Sequence, residues 1–266
     1  MTPAPRSVLF VPASNARALE KARLLDCDAV VIDLEDAVGP ADKISARAAV
    51  AAALSGFSGR AAVRINGQDT AWGADDLAML AGSDALAVVL PKAGSVQDVR
   101  WAAQAGRPLW AMIETLAGVI NLAAIGAEPG IEALILGQND LAAEMEAQPG
   151  PDRAPLHLAM SLIVTTARYH GHMALDGVYN AFRDADGFEA ECRQGRAFGF
   201  HGKTLIHPSQ ISAANTIFGP TEAELAWARR VVEAYDGAPE AGVLTLDGQM
   251  VERLHLEQAQ RTLARG

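Results

Sequence analysis

Eight short apolar runs recur along the chain, and most of them end in turn residues or a charge. They cover residues 7–12 (SVLFVP), 28–33 (DAVVID), 60–67 (RAAVRING), 85–92 (ALAVVLPK), 108–113 (PLWAMI), 131–136 (IEALIL), 173–180 (MALDGVYN) and 199–207 (GFHGKTLIH). Short continuous runs bounded by turn residues read as strands buried on both faces. Helical stretches alternate with them over 16–25, 42–54, 96–105, 116–127, 156–169 and 188–198. Eight such alternations over about 215 residues predict a (β/α)8 TIM barrel. Beyond it, 221–235 reads as an amphipathic helix opened by Thr221 and Glu224, and 237–242 as a Gly/Pro linker. The tail, 243–252 with a short helix to 263, is too small to fold alone. Two parts are expected: a catalytic barrel over 1–219, and a C-terminal helix and lid segment over 220–266 packing on the barrel or a neighbouring subunit.

The chemistry of such a barrel gathers where its strands end. Glu35, Asp36, Arg64, Lys92, Glu114, Asp140 and His207 all fall there. Glu114 and Asp140 follow the fifth and sixth strands, so parallel neighbours would bring both acids to one rim. A facing pair of carboxylates against apolar walls stays ionised only with a cation between them, and two carboxylates with several waters suit Mg²⁺. The bland alternative is a helix cap or a solvated loop residue, which fits Asp140 better than Glu114 because Glu caps poorly. Arg64, near a strand end, suits a two-point grip on a carboxylate. Its alternative is a buried ion pair with Glu35 or Asp36. Arg17 and Lys21, four apart on the first helix, form either a solvated face or a contact for phosphates. Residues 144–155, rich in Pro, Gly, Asp and Gln, read as a mobile loop over the same rim.

Composition narrows this further. Of 266 residues 50% are hydrophobic and only 5% aromatic, a balance suited to helices packed on buried parallel strands. The net charge of −10 excludes a nucleic-acid footprint. Two distant cysteines, Cys27 and Cys192, fit a reducing cytoplasm and argue against a zinc site. Neither a leader nor a membrane span is expected. Gly199 to Thr204 ends like a phosphate-binding loop, but residue 197 is Ala where that motif needs Gly, and Lys203 lies within a strand-like run, so nucleotide hydrolysis is rejected.

Taken together, Arg6-Ser-Val-Leu-Phe-Val-Pro12, Ile32-Asp-Leu-Glu-Asp-Ala-Val38, Lys43 with Ala46-Arg47, Arg64-Ile-Asn66, Leu90-Pro-Lys92, Ile113-Glu-Thr115 with Gly118-Val119, 137–141, Gly199-Phe-His-Gly-Lys203 and Ile206-His-Pro208 resemble the citrate lyase β-subunit (CitE-like) group of the HpcH/HpaI aldolase/citrate lyase family, relatives of malyl-CoA and citramalyl-CoA lyases. The resemblance implies Mg²⁺ on Glu114 and Asp140, Arg64 on the substrate carboxylate, and Glu35 and Asp36 ordering metal-bound water. It implies a homotrimer in which one subunit's tail closes over the next subunit's site. The function implied is Mg²⁺-dependent carbon–carbon cleavage of a 3-hydroxyacyl-CoA, such as malyl-CoA or citramalyl-CoA, into a 2-oxo acid and acetyl-CoA, with Arg17 and Lys21 for the CoA phosphates. The sequence departs from the family in its tail, where Asp247-Gly-Gln-Met-Val-Glu252 carries Glu252 in the place of the catalytic Asp. Glu252 is the candidate acid for protonating the enolate. Alternatives are action on a citryl thioester of an acyl carrier protein, an aldolase for free 2-oxo acids, and a non-catalytic scaffold that binds metal and 2-oxo acid.

Overall fold

The computed structural model describes residues 4–266, which fall into two units, 4–215 and 216–266. In the first, the order is β1 (Ser7–Pro12), α1 (Ala16–Ala22), β2 (Ala29–Asp33), α2 (Lys43–Ala53), β3 (Ala61–Arg64), α3 (Gly73–Leu80), β4 (Val88–Leu90), α4 (Val96–Ala102), β5 (Leu109–Ile113), α5 (Leu116–Ile120), α6 (Leu122–Gly126), β6 (Ile131–Leu136), α7 (Gln138–Glu144), α8 (His157–His170), β7 (Met173–Asp176), α9 (Ala185–Phe198) and β8 (Gly202–Leu205). All eight strands are parallel, each pairs with the next, and β8 closes on β1. The fold is the expected (β/α)8 barrel.

Strand alternation sets the inside of this barrel. Val8, Val31, Ala62, Val89, Trp110, Met112, Ile135 and Leu175 belong to one buried cluster. Trp110, 1% exposed, is accommodated by the small Ala62, Ala87 and Ala133 in the same cluster. Two residues further along each strand, the same inward parity carries Asp33 above Val31, Arg64 above Ala62 and Glu114 above Met112. The opposite parity carries Asp176, the last residue of β7, and its register partner Lys203, near the start of β8, toward the helices outside.

Several elements differ from expectation. The stretch 116–127 is two helices broken at Asn121, whose side-chain amide donates to Gly94 O (2.8 Å). Helix α3 gave no start signal because Trp72 occupies its N-cap without a capping hydrogen bond. Helix α7 begins directly after β6, with no linker to announce it. The stretch expected as a mobile loop is tethered at its far end by Arg153, which is buried.

Helix α10 (Ile211–Phe218) follows β8 in the chain; in the second unit, α11 (Glu222–Asp236) precedes an antiparallel hairpin of β9 (Val243–Leu246) and β10 (Gln249–Glu252), then α12 (Arg253–Leu263). Asp247 and Gly248 turn the hairpin with φ of 52° and 76°, the left-handed pair that a two-residue turn requires. Ala228, Val231, Tyr235, Val251 and Ala259 form its core, and Tyr235 Oη donates to Val251 O (3.0 Å).

Candidate active site

The inward parity described above gathers charge at the C-terminal rim. A cavity of about 400 Å³ is lined there by Phe10, Asp33, Asp36, Arg64, Met112, Glu114, Gly137 and Asp140, among others. A second recess, of about 940 Å³, adjoins it at Asp36 and is walled by Glu35, Lys92, Trp72 and Trp101.

Glu114 is 1% exposed. Its Oε1 accepts the backbone N–H of Lys92 (2.8 Å), which that residue presents from a left-handed conformation, φ 49°. A non-glycine residue held there stores roughly 1 kcal/mol or more of strain, of the kind concentrated at working sites. Gly137 is required beside it, because a Cβ at that position would stand 2.3 Å from Glu114 Cβ and Oε2. Burial pushes the Glu114 carboxyl up to about 7; the Lys92 N–H and Arg64 pull it down, while Glu35 and Asp140 push it further up. A cation between Glu114 and the half-buried Asp140 would relieve this cost. Among the described residues no three or more His, Cys, Asp or Glu are placed together to hold a metal ion. The available set is therefore two carboxylates and water, which fits Mg²⁺ and not a structural zinc.

Arg64 is where the structure departs most from the sequence reading. Its fork is not free: Nε and Nη2 donate to Asp33 Oδ1 (2.7 Å) and Oδ2 (2.6 Å). Only the Nη1 edge remains, 3.0 Å from Glu35 Oε2 and 3.9 Å from Met112 Sδ. The alternative of a buried ion pair is thus realised with Glu35, and above all with Asp33, which the sequence reading did not single out. Asp33 carried a signal, since it sits two residues after inward-facing Val31. Asp33 also accepts the backbone N–H groups of Glu35 (2.9 Å) and Ala37 (3.1 Å), so it orders the loop that bears the other acids.

Burial raises the Glu35 carboxyl, against the pull of Arg64 and Lys92. Lys92 Nζ bonds Glu35 Oε1 and lies 3.7 Å from the exposed Asp36. Glu35 Oε2 is buried and faces Arg64 Nη1 at 3.0 Å without an aligned hydrogen bond. Lys43, part of the motif around α2, is spent on structure: its Nζ donates to Leu34 O, Glu35 O and Asn66 Oδ1.

Of the remaining candidates, those in the barrel lie apart from this cluster. Arg17 and Lys21 are exposed on α1 and line neither cavity. His207 is exposed, stacked on Phe182 and bonded to Ser209. Glu252 belongs to the second unit, where it caps α12 and its N–H donates to His255 Nδ1 (2.9 Å).

On the outer side of the strands a second charged group pairs its carboxylates with cations, with Arg153 Nη2 left buried without a hydrogen bond. Lys203 Nζ bonds Asp176 Oδ2 and Glu191 Oε1, both at 2.8 Å, and Arg153 Nη1 bonds Asp176 Oδ1 (2.7 Å). Burial alone would raise Asp176, yet Lys203 and Arg153 hold it below the usual carboxylate range. Lys203 is therefore a core cation of β8, as its place within a strand implied.

A closed parallel barrel with paired acids at its C-terminal rim defines a (β/α)8-barrel enzyme whose chemistry is built on carboxylates. The HpcH/HpaI aldolase/citrate lyase family model matches residues 6–208. The (3S)-malyl-CoA thioesterase of Cereibacter sphaeroides is 46% identical over 98% of this chain and 94% of that one. The citrate lyase subunit beta of Escherichia coli is 34% identical over 98% and 92%. The crystal structure of CitE from Mycobacterium tuberculosis in complex with magnesium, acetoacetate and coenzyme A matches with a TM-score of 0.84 at 34% identity, over 99% of this chain and 98% of that one. The chain belongs to the HpcH/HpaI aldolase/citrate lyase family, and its relatives are enzymes named as lyases or thioesterases. No helix among the described residues is long and apolar enough to cross a membrane.

Proposed function

We propose that this protein is a Mg²⁺-dependent enzyme acting on a malyl-type CoA thioester, cleaving its carbon–carbon bond to give a 2-oxo acid and acetyl-CoA. The observation that carries this reading is the buried, destabilised Glu114 carboxyl facing Asp140 beside Arg64. The CitE structure with magnesium, acetoacetate and coenzyme A supports it, since that protein takes a metal, a short oxo acid and CoA together.

Glu114 and Asp140 would hold the ion, which when bound supplies Lewis acidity and orients the 2-hydroxy-carboxylate end of the substrate. The chain does the rest. Arg64, held rigid by Asp33, would meet the substrate carboxylate through its Nη1 edge, which faces Glu35 Oε2 at 3.0 Å, so the contact is one-point, fixed in direction and shared with Glu35. Glu35 and Asp36 order water at the mouth of the cavity. Arg17 and Lys21 serve the CoA phosphates. Glu252, from the tail of a neighbouring subunit in a homotrimer, delivers the proton to the carbon that becomes the acetyl methyl.

A second outcome, hydrolysis of the same thioester to the free hydroxy acid and CoA, is favoured by the 46% identity to a malyl-CoA thioesterase. The residues lining the smaller cavity include no serine or cysteine, so hydrolysis there would not pass through a serine or cysteine acyl-enzyme. One assay separates the two. Purified protein is given malyl-CoA and citramalyl-CoA with and without Mg²⁺, and 2-oxo acid, acetyl-CoA and free thiol are quantified. Cleavage gives oxo acid and acetyl-CoA in equal amounts; hydrolysis gives thiol without oxo acid. Turnover of neither ester, or turnover indifferent to Mg²⁺, overturns the proposal. Activity only on a carrier-bound thioester would move the protein to the citrate lyase role.

A further inference from the structure

The two residues before Asp140 are locked in an unusual way. Helix α7 starts at Gln138 with Gly137 in the cap position, and no side chain caps it. In place of a cap, Gln138 and Asn139 tie its first turn sideways to the segment after β7. Gln138 Nε2 donates to Val178 O (2.5 Å), and Asn139 and Asn180 exchange reciprocal amide bonds (3.2 and 2.8 Å). Gln138 Oε1 in turn accepts Arg153 Nη1 (2.9 Å).

Arg153 is an improbable residue for a surface loop. It is 2% exposed, adopts φ 53°, and its guanidinium reaches Asp176, Gln138 and, through Nε, Gln194 (2.7 Å). The chain leaving α7 therefore folds back to grip the start of the helix it has just left. Burying that cation is affordable because the outward cluster of Asp176, Glu191 and Lys203 is already present.

We propose that Gln138 is a positioning residue for the Asp140 carboxylate, with Arg153 as its anchor to the paired cluster between β7, β8 and α9. The inference rests on the metal-binding reading of Glu114 and Asp140. Groups that orient a ligating carboxylate change metal affinity by about 10 to 100-fold when lost.

The test is direct Mn²⁺ binding by the full-length protein, read as free Mn²⁺ by electron paramagnetic resonance, with thermal unfolding in parallel. Gln138→Ala is compared with Gln194→Ala, which removes a bond from the same guanidinium on the side away from α7. We expect Q138A to bind Mn²⁺ at least about tenfold more weakly than wild type, with Q194A unchanged. Equal affinity in Q138A and wild type, or equal weakening by both substitutions, overturns the inference. A wild type that binds no Mn²⁺ fails the metal reading itself and removes the inference with it.

Discussion

Two groups of carboxylates flank the barrel strands on opposite faces. Outside, Asp176 and Glu191 are matched by Lys203 and Arg153, and the cations hold Asp176 low. Inside, Arg64 pairs with Asp33 and Glu35, Lys92 pairs with Glu35, and the buried Glu114 is held high. The outward carboxylates have their cations and hold the wall of the barrel together. Asp33, Asp36, Glu114 and Asp140 line the smaller cavity with a single cation, Arg64, among its lining residues. The proposed Mg²⁺ site at Glu114 and Asp140 rests on that contrast.

Breaking the balanced group should have the largest effect. Lys203→Met leaves Asp176 and Glu191 with Arg153 alone, and loss of one member of a buried pair costs about 3–5 kcal/mol. The melting temperature should fall by on the order of 10 °C. A loss below about 1 kcal/mol, as for a surface pair, would erase the contrast.

Relieving the unbalanced group should do the reverse. The folded value of Glu114, about 7, lies above the ordinary carboxylate value of 4.5, so its ionisation opposes folding increasingly from pH 4.5 to 7 and fully above that. Glu114→Gln should therefore stabilise the metal-free protein by roughly 3 kcal/mol at pH 8 and by almost nothing at pH 4.5. Denaturant titrations at the two pH values check this; destabilisation at pH 8 would mean that Glu114 is already satisfied. Gly137→Ala forces a methyl against the Glu114 side chain and should cost about 1–3 kcal/mol together with metal affinity. The smallest effect belongs to Arg17→Ser with Lys21→Ser: stability within about 0.5 kcal/mol, and a raised KM for the CoA ester alone. An unchanged KM would dismiss that pair.

The barrel was legible because eight apolar runs with charged or turn-rich ends are hard to arrange otherwise, and β1 and β6 coincide with the runs at 7–12 and 131–136. Helices α3 and α7 escaped because each is short, at eight and seven residues, and also lacks a side-chain cap. At the rim, spacing pointed to Glu114, Asp140, Glu35 and Arg64, whose side chains follow strand ends. The partner of Arg64 did not emerge, because Asp33 is one of three acids within four residues at the end of its run and only inward parity distinguishes it from Glu35 and Asp36. Arg153 was hidden differently: a Pro/Gly-rich stretch reads as solvent-exposed, and its burial depends on Asp176, which lies 23 residues further along the chain.

The central claim is that the inward acids hold one divalent ion. Calorimetric titration of Mg²⁺ into the wild-type protein and Asp140→Asn at pH 8 tests it most directly. One ion per chain is expected in the wild type and no saturable binding in D140N. A wild type that takes up no Mg²⁺, or a D140N protein that binds it as tightly, would contradict it.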